Sequence, residues 1–533
     1  MKKKRLTAPQ KRARHKEALG RFAFHRLRRK LPLSFPRQPD WPVSPKPCYR
    51  SDYRYLGYDS LADMDGWSDA SHFHIVVRLF DFSNLEHFLA WHLYRPSAKG
   101  QVPFHPVSMY LLILYRRELG LSRIETLRRL RDPVEGVLLR QLTGFSDTFP
   151  SESGLRYVEQ RFSGQLQKEI NALQIDVLFQ AGLLPTQPTE TQSVSLSYDG
   201  MLHHARSRMR CAHVQESCFQ PAPRPCPARR KGRRGCSCKK TDCLQHCRYA
   251  PTRDPAARLV VYTGNNKRPG LSPNTSQQEQ TGRKRATRFV YGYYSYCGQL
   301  LDDTLATYWM LPASFGPANQ GDRARFPENF TYLRQRFPWL QFDAVIADAG
   351  AGYRNCLDLI WEAGALRLVD TVASAGDKDP AVQLRRGYDD KGYPLCPFGF
   401  VMRSNGHDYD RRQTKWRCAK QCLLKPTEER PNCDYLKTLN KHGYTISIGR
   451  AHHDGKVRLA REIPVGSSRW KKLYHRRNSA ESRNSVLERL GLKRLPVHGL
   501  PAGHVAILQA DFIANQHTLI RLIREANELP VTE

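Results

Sequence analysis

The 533-residue chain sets 85 lysines and arginines against 50 aspartates and glutamates, a formal net charge of +35. A polyanion is the simplest partner for such an excess, because each neutralised phosphate releases counterions. Its 40% hydrophobic content excludes a disordered basic tail protein, no apolar run approaches the roughly 18 residues of a membrane span, and the length implies more than one domain.

In chain order, residues 1–70 read as a basic arm and connector. The start, MKKKRLTAPQKRARHKEALG, has no apolar stretch of the kind a secretory signal needs and reads as an arm that lies on nucleic acid. Residues 71–185 read as helices with Arg-rich faces, suited to a helix-turn-helix-like DNA reader. HPVSMYLLILYRREL (105–119) carries an apolar stripe. SRIETLRRLRD (122–132) opens with the capping pair Ser122 and Glu125 and stops before Pro133. VEGVLLRQLTGF (134–145) ends at Gly144, and residues 151–182 read as one long helix.

From residue 190 to 533 the pattern is α/β. SVSLSYDG (193–200), RLVVYTG (258–264) and RFVYGYYSYCG (288–298) read as strands and 326–337 as a helix. FDAVIADAGAG (342–352) reads as a strand, 353–365 as a helix and 366–372 as a strand. That order argues for a mixed sheet flanked by helices, with a closing helix over 503–527. Two Cys-, Pro- and Arg-rich inserts, at about 203–257 and 380–465, interrupt the layout and are long enough to need a stabiliser of their own.

Asp199 and Asp348 each end an apolar strand and are followed by Gly within two residues. Strand ends are where sites form in α/β sheets. Brought together, the two carboxylates repel unless a cation lies between them, and such oxygen ligands select Mg²⁺ or Mn²⁺. A third acid comes from LYHRRNSAESRNSVLERLG (473–491). As one helix, this stretch puts Tyr474, Arg477 and Glu481 on a common face. Glu481 would complete the metal cage, Arg477 would hold a phosphate, and Tyr474 would contact the nucleic acid backbone. Arg469, Trp470, Lys471, Lys472, His475 and Arg476 would form a basic wall for the DNA. Asp343 starts its strand, at the wrong end for the site, and Asp370 lies near a strand end as a supporting group.

These motifs resemble those of bacterial insertion-sequence transposases of the DDE type, whose catalytic domain is RNase H-like. YDG at 198–200 matches the first Asp, IADAG at 346–350 the second, and Tyr474, Arg477 and Glu481 the Y-x2-R-x3-E signature helix. His105 through Ser153 resembles the N-terminal domain typical of these enzymes. The signature's usual lysine is replaced here by Glu488, with Arg489 next. The resemblance implies an RNase H-like mixed sheet flanked by helices, with an N-terminal all-α domain and Cys-rich inserts. It implies two metals roughly 4 Å apart on Asp199, Asp348 and Glu481, cleavage at element ends and joining to target double-stranded DNA. It also implies at least a dimer on DNA and a bacterial, cytoplasmic setting. The same acids leave open a nuclease that does not join, or a domesticated DNA-binding protein without activity.

The 14 cysteines, read in a reducing compartment, point to metal rather than disulfides. Cys236, Cys238, Cys243 and Cys247 form one Zn²⁺ set, with Cys211, Cys218, Cys226 and His246 as alternates. Cys396, Cys418, Cys422 and Cys433 form a second, ribbon-like set. Cys48, Cys297 and Cys356 stand alone and are expected to be buried.

Overall fold

A computed structural model of the chain describes residues 32–37, 48–58, 72–95, 101–185, 193–207, 256–263, 287–303, 305–370, 393–408, 413–434, 443–448 and 467–527, with isolated residues between these stretches such as Asp254, Glu462 and Ile463. Most of the basic arm and the whole of 208–253 lie outside them.

The short strand β1 (Leu33–Ser34) pairs in parallel with β2 (Phe80–Asp81), which follows α1 (His72–Leu79) directly. Five more helices, α2 (Glu86–Leu93), α3 (Pro106–Glu118), α4 (Arg123–Arg131), α5 (Gly136–Thr143) and α6 (Glu152–Arg161), lead into α7 (Gly164–Gln180). Their starts follow local chemistry. Ser122 Oγ accepts the Glu125 N–H at 3.1 Å and Ser151 Oγ accepts the Gly154 N–H at 3.1 Å, each satisfying a donor the helix itself leaves open. Gly144 ends α5 in the left-handed region, at φ +76°, where a side chain would be strained. The single helix expected over 151–182 is two. Phe162 leaves the helix to stack on Tyr110 at 5.5 Å, and Ser163 caps a fresh start by accepting the Leu166 N–H.

Among the described residues the main sheet has seven strands. β3 (Val194–His204) lies at its centre, antiparallel to β5 (Thr287–Asp302) on one side and parallel to β8 (Ala344–Ala347) on the other. β9 (Leu366–Val369) continues in parallel beyond β8. The far edge of β5 takes three short strands in succession: β4 (Arg258–Thr263), β7 (Ser314–Pro317) and β6 (Thr307–Met310). α8 (Asp322–Arg336) and α9 (Arg354–Glu362) connect the strands. A separate antiparallel sheet, β10 (Arg403–Asp408), β11 (Gln413–Arg417) and β12 (Thr445–Ile448), occupies the second insert, which the sequence pattern left without elements.

Two helices, α10 (Ser468–Tyr474) and α11 (Asn478–Arg489), precede the closing α12 (Leu500–Asn527). α12 packs on α7, α3, β6 and β7. Asn171 and Gln174 of α7 donate to the Leu508 and Phe512 carbonyls, and Asn515 donates to Gln174 Oε1 and exchanges bonds with the Met310 backbone. One apolar core therefore runs from Leu111 and Leu173 through Leu196 and Val345 to Phe512. The boundary expected near 185–190 is a change of element type within that core, so the helical region is not a detached unit. No described helix is long and apolar enough to cross a membrane.

Candidate active site at the centre of the sheet

Register brings the two aspartates together. β3 and β8 pair Ser195 with Ala344 and Ser197 with Ile346. Continuing that offset sets Asp199 opposite Asp348, one residue past the end of β8. Asp199 is not at a strand end as expected: β3 runs five residues further, to His204, held by β5. It lies instead where the parallel partner stops, which leaves its carboxylate a neighbouring gap. Side chains alternate along a strand. Val194, Leu196 and Tyr198 enter the large core, so Ser195, Ser197 and Asp199 share the opposite face. The 467–489 segment covers that face.

The covering segment is not one helix. α10 ends at Tyr474, His475–Arg477 forms a 3₁₀ turn, and α11 starts at Asn478. Two anchors on different cores account for the tightened turn. Trp470 docks among Leu301, Ala344, Ile346 and Leu368, while Leu487 packs in the core beneath α12 and Arg483 pairs with Asp511 of α12. The turn still delivers Arg477 and Glu481 to the aspartates. Arg477 Nη2 lies 3.0 Å from Asp199 Oδ1 and 3.9 Å from Asp348 Oδ2, and Nη1 lies 3.8 Å from Glu481 Oε1. Three acids from three segments thus meet around one guanidinium.

The basic wall divides. Arg469, Lys471, Lys472 and His475 are exposed and can face a polyanion. Trp470 cannot: it is 7% exposed, inside the core and stacked on Tyr474 at 4.1 Å. Arg476 is committed elsewhere too, to Asp303 at 2.8 Å and Ser195 Oγ at 2.9 Å. Both are corrections to the sequence reading, which treated a charge-rich stretch as one solvent face. Burial pushes the Tyr474 hydroxyl up to about 12, so it is a neutral hydrogen-bonding group.

The structure adds residues the sequence did not single out. Asn484 Nδ2 donates to Asp199 Oδ2 at 2.8 Å. It lies three residues after Glu481, and extending the same helical face would have found it. Asp322, at the start of α8, accepts a short hydrogen bond from Tyr294 and lies against Asp348. A Cβ on Gly200 would collide with the Tyr294 hydroxyl, and a Cβ on Gly350 with the Asp322 carboxylate. The glycine after each strand aspartate therefore makes room for the Tyr294–Asp322 pair.

Burial raises the Asp199 carboxyl above the ordinary range. Arg477 opposes that shift and Asp348 adds to it. Burial, then the charge and hydrogen bond of Asp348, push Asp322 up to about 8. A cluster short of cations in this way suits a divalent metal. The donors are hard oxygens, and Asn484 Oδ1 is buried beside Asp199 without a hydrogen-bond partner. Asp199, Asp348 and Glu481 have the donor chemistry for Mg²⁺ or Mn²⁺, but their oxygens do not all lie within 4.8 Å of one another, so a bound ion would require the acids to draw together as well as Arg477 to move aside.

Other expected groups fall as follows. Asp343 accepts from Ser193 Oγ at 2.7 Å, at the far end of β8. Asp370 follows β9 and adds to the upward push on Tyr474. Cys297 and Cys356 are buried, but Cys48 is exposed, contrary to expectation. Cys236, Cys238, Cys243, Cys247 and their alternates lie outside the described residues.

Two further features lie outside this cluster. A cleft of about 870 Å³ between α3–α6 and α12 is lined by Arg116, Arg117, Arg123, Arg156 and Arg206 against Glu152 and Glu159. Arg117 donates to neutral Gln509, and burial draws its guanidinium down to about 10. His72, Glu118 and His517 are the one group of three metal-type ligands mutually within 4.8 Å among the described residues. Arg524 and Arg489 bear on that group and oppose a cation there. Comparison of the chain with protein-family models and with curated proteins finds no match.

Proposed function

We propose that the chain is a DDE-type DNA transposase that cuts the ends of an insertion sequence and joins them to target DNA. The observation that carries this reading is the convergence of Asp199, Asp348 and Glu481 on Arg477, at 3.0, 3.9 and 3.8 Å. The acids come from two adjacent parallel positions of a mixed sheet and from a helix laid across them. That arrangement is what an RNase H-like catalytic domain requires, and the net charge of +35 supports a DNA partner.

Asp199, Asp348 and Glu481 would hold two Mg²⁺ or Mn²⁺ ions. When bound, those ions supply an activated oxygen nucleophile and charge neutralisation at the leaving oxygen. The chain's own side chains prepare that step. Asn484 orients Asp199. Arg477, released from the acids, is within reach of a scissile phosphate and is suited to hold it by two parallel bonds. Arg469, Lys471, Lys472 and His475 would follow the DNA backbone outside the site. The arginine cleft gives a second basic surface for the element's terminal inverted repeats. Two ends must be held together for joining, which calls for at least a dimer on DNA in a bacterial cytoplasm.

The test is cleavage and end-joining on plasmid DNA carrying the flanking repeats, with Mg²⁺ or Mn²⁺, for wild type and Glu481→Gln. Wild type should cut and join, and the variant should bind DNA yet lose activity by on the order of 10³-fold or more. Cutting without joined products would make the protein a nuclease. Equal behaviour of the two proteins would remove Glu481 from the site.

A further inference from the structure

Among its described residues, the second cysteine insert has a very small apolar core. The buried apolar residues of its β10–β11–β12 sheet are Met402 and Trp416, with Tyr393, Cys396, Tyr444 and Ile446 partly buried beside them. A core this small does not offset the entropy of ordering the surrounding loops, and small modules of this kind use metals or disulfides as staples. None of its four cysteines is in a disulfide.

The backbone around the cysteines is shaped toward the sulfurs. Cys396 opens a tight turn in which the Gly399 N–H donates to its carbonyl at 2.9 Å and its own N–H donates to Phe400 at 2.9 Å, with Gly399 at φ +80°. Cys418 follows β11 directly. Its Sγ accepts the Lys420 N–H at 3.2 Å, and Lys420 itself sits at φ +56°, a costly conformation for a lysine. Cys422 and Cys433 are 5% and 9% exposed. The Cys422 thiol is raised by burial and then by Cys418, Cys433 and Cys396, so each of those three lies within electrostatic reach of Cys422. Gly443, at φ +64°, closes over Cys418 so tightly that a Cβ there would come 2.9 Å from the Cys418 Cβ.

We propose that Cys396, Cys418, Cys422 and Cys433 bind one Zn²⁺ as a tetrahedral tetrathiolate that staples this insert. No three of these sulfurs lie mutually within 4.8 Å, so binding requires the turns that carry them to close on the ion. Zinc suits the set because four soft thiolates with no open position make a structural site. The module's folding is then coupled to the metal. The inference does not depend on the transposase reading.

The test uses the full chain with Cys236→Ser, Cys238→Ser, Cys243→Ser and Cys247→Ser, which removes the other thiol set. Zinc is counted by mass spectrometry, and Co²⁺ added to the metal-free protein is followed by its thiolate charge-transfer band. One equivalent of zinc and a tetrathiolate cobalt spectrum are expected, and both should vanish when Cys422→Ser and Cys433→Ser are added. Metal content unchanged by that pair overturns the proposal, as does a background protein with neither zinc nor a thiolate band. Should the added pair unfold the chain, a mercurial reagent on the background protein reads the same point. Zinc must leave in step with four thiols, and release in step with fewer overturns the assignment.

Discussion

Arg477 and Arg483 stand six positions apart (483 − 477) and each meets an aspartate, yet the two pairs do opposite work. Arg483 grips Asp511 with two bonds, at 2.7 and 2.9 Å, with both side chains 1% exposed. Arg477 makes one 3.0 Å contact with Asp199, is shared at 3.9 and 3.8 Å with Asp348 and Glu481, and stays 21% exposed. The first pair is complete and sealed, so it fixes α11 on α12. The second is a single cation among several acids, so its arrangement changes as soon as another cation or an anion arrives. A helix anchored by the sealed pair can present the open one without moving its backbone.

The largest effect is expected at the sealed pair. Asp511→Ala strands the Arg483 guanidinium in the core, which should cost about 3–5 kcal/mol in urea unfolding. The double variant Arg483→Met with Asp511→Leu should recover most of that loss, because no charge is left buried. A single-variant loss within about 1 kcal/mol, the scale of a surface pair, would erase the distinction between the two arginines.

Asp322 gives the next effect, read against pH. An unfolded aspartate titrates near 4, whereas Asp322 in the fold is pushed up to about 8. Between those values the folded protein holds a proton that the unfolded chain releases. Stability therefore falls as pH rises from about 4 to about 8, by at most about 1.4 kcal/mol per pH unit, and is level above that window. Asp322→Asn keeps an oxygen for the Tyr294 hydroxyl and removes the titration, so thermal melts in chelator should lose that slope. A slope that survives would show that the proton is not held on Asp322.

The reach of the sequence differs between these groups. Asp199 and Asp348 were legible because an apolar run followed by Asp and a nearby Gly is a local pattern, although in the fold only Asp348 follows a strand end and Asp199 lies within β3. The function of the glycines was not legible, since Tyr294 and Asp322 approach them only through tertiary packing. Asp322 itself sits in GDRARF, a polar helix start like many others. The bend at 475–477 has no proline or glycine to announce it and comes from two anchors in different cores. The break at Phe162 did carry a signal, since Ser163–Gly164 is an ordinary helix start, but a continuous apolar period masked it. Trp470 and Arg476 were misplaced because charged neighbours outweighed one aromatic residue in the reading, while in the fold that residue anchors the segment.

The smallest effect is the one that most sharpens the contrast between the arginines. Arg477 is partly exposed and shared, so Arg477→Gln should change metal-free stability by no more than about 1 kcal/mol, despite its central position. What should change is the response to metal. On the proposed metal site, a divalent cation would have to displace the guanidinium from Asp199 before binding in the wild type, and part of its affinity would be spent on that displacement. In the variant the carboxylates are already unpaired, so Mn²⁺ should raise the melting temperature by more than in the wild type, since binding to the folded state alone stabilises by mass action. On the transposase proposal, DNA cleavage should nevertheless fall, because the phosphate would lose its bidentate partner. Stronger metal stabilisation with weaker cleavage separates Arg477 as a displaceable counter-ion and phosphate holder from Arg477 as a structural brace. A variant that Mn²⁺ stabilises less than the wild type would instead mean that Arg477 holds the acids in their metal-binding geometry, which would make the open pair a second sealed one in function.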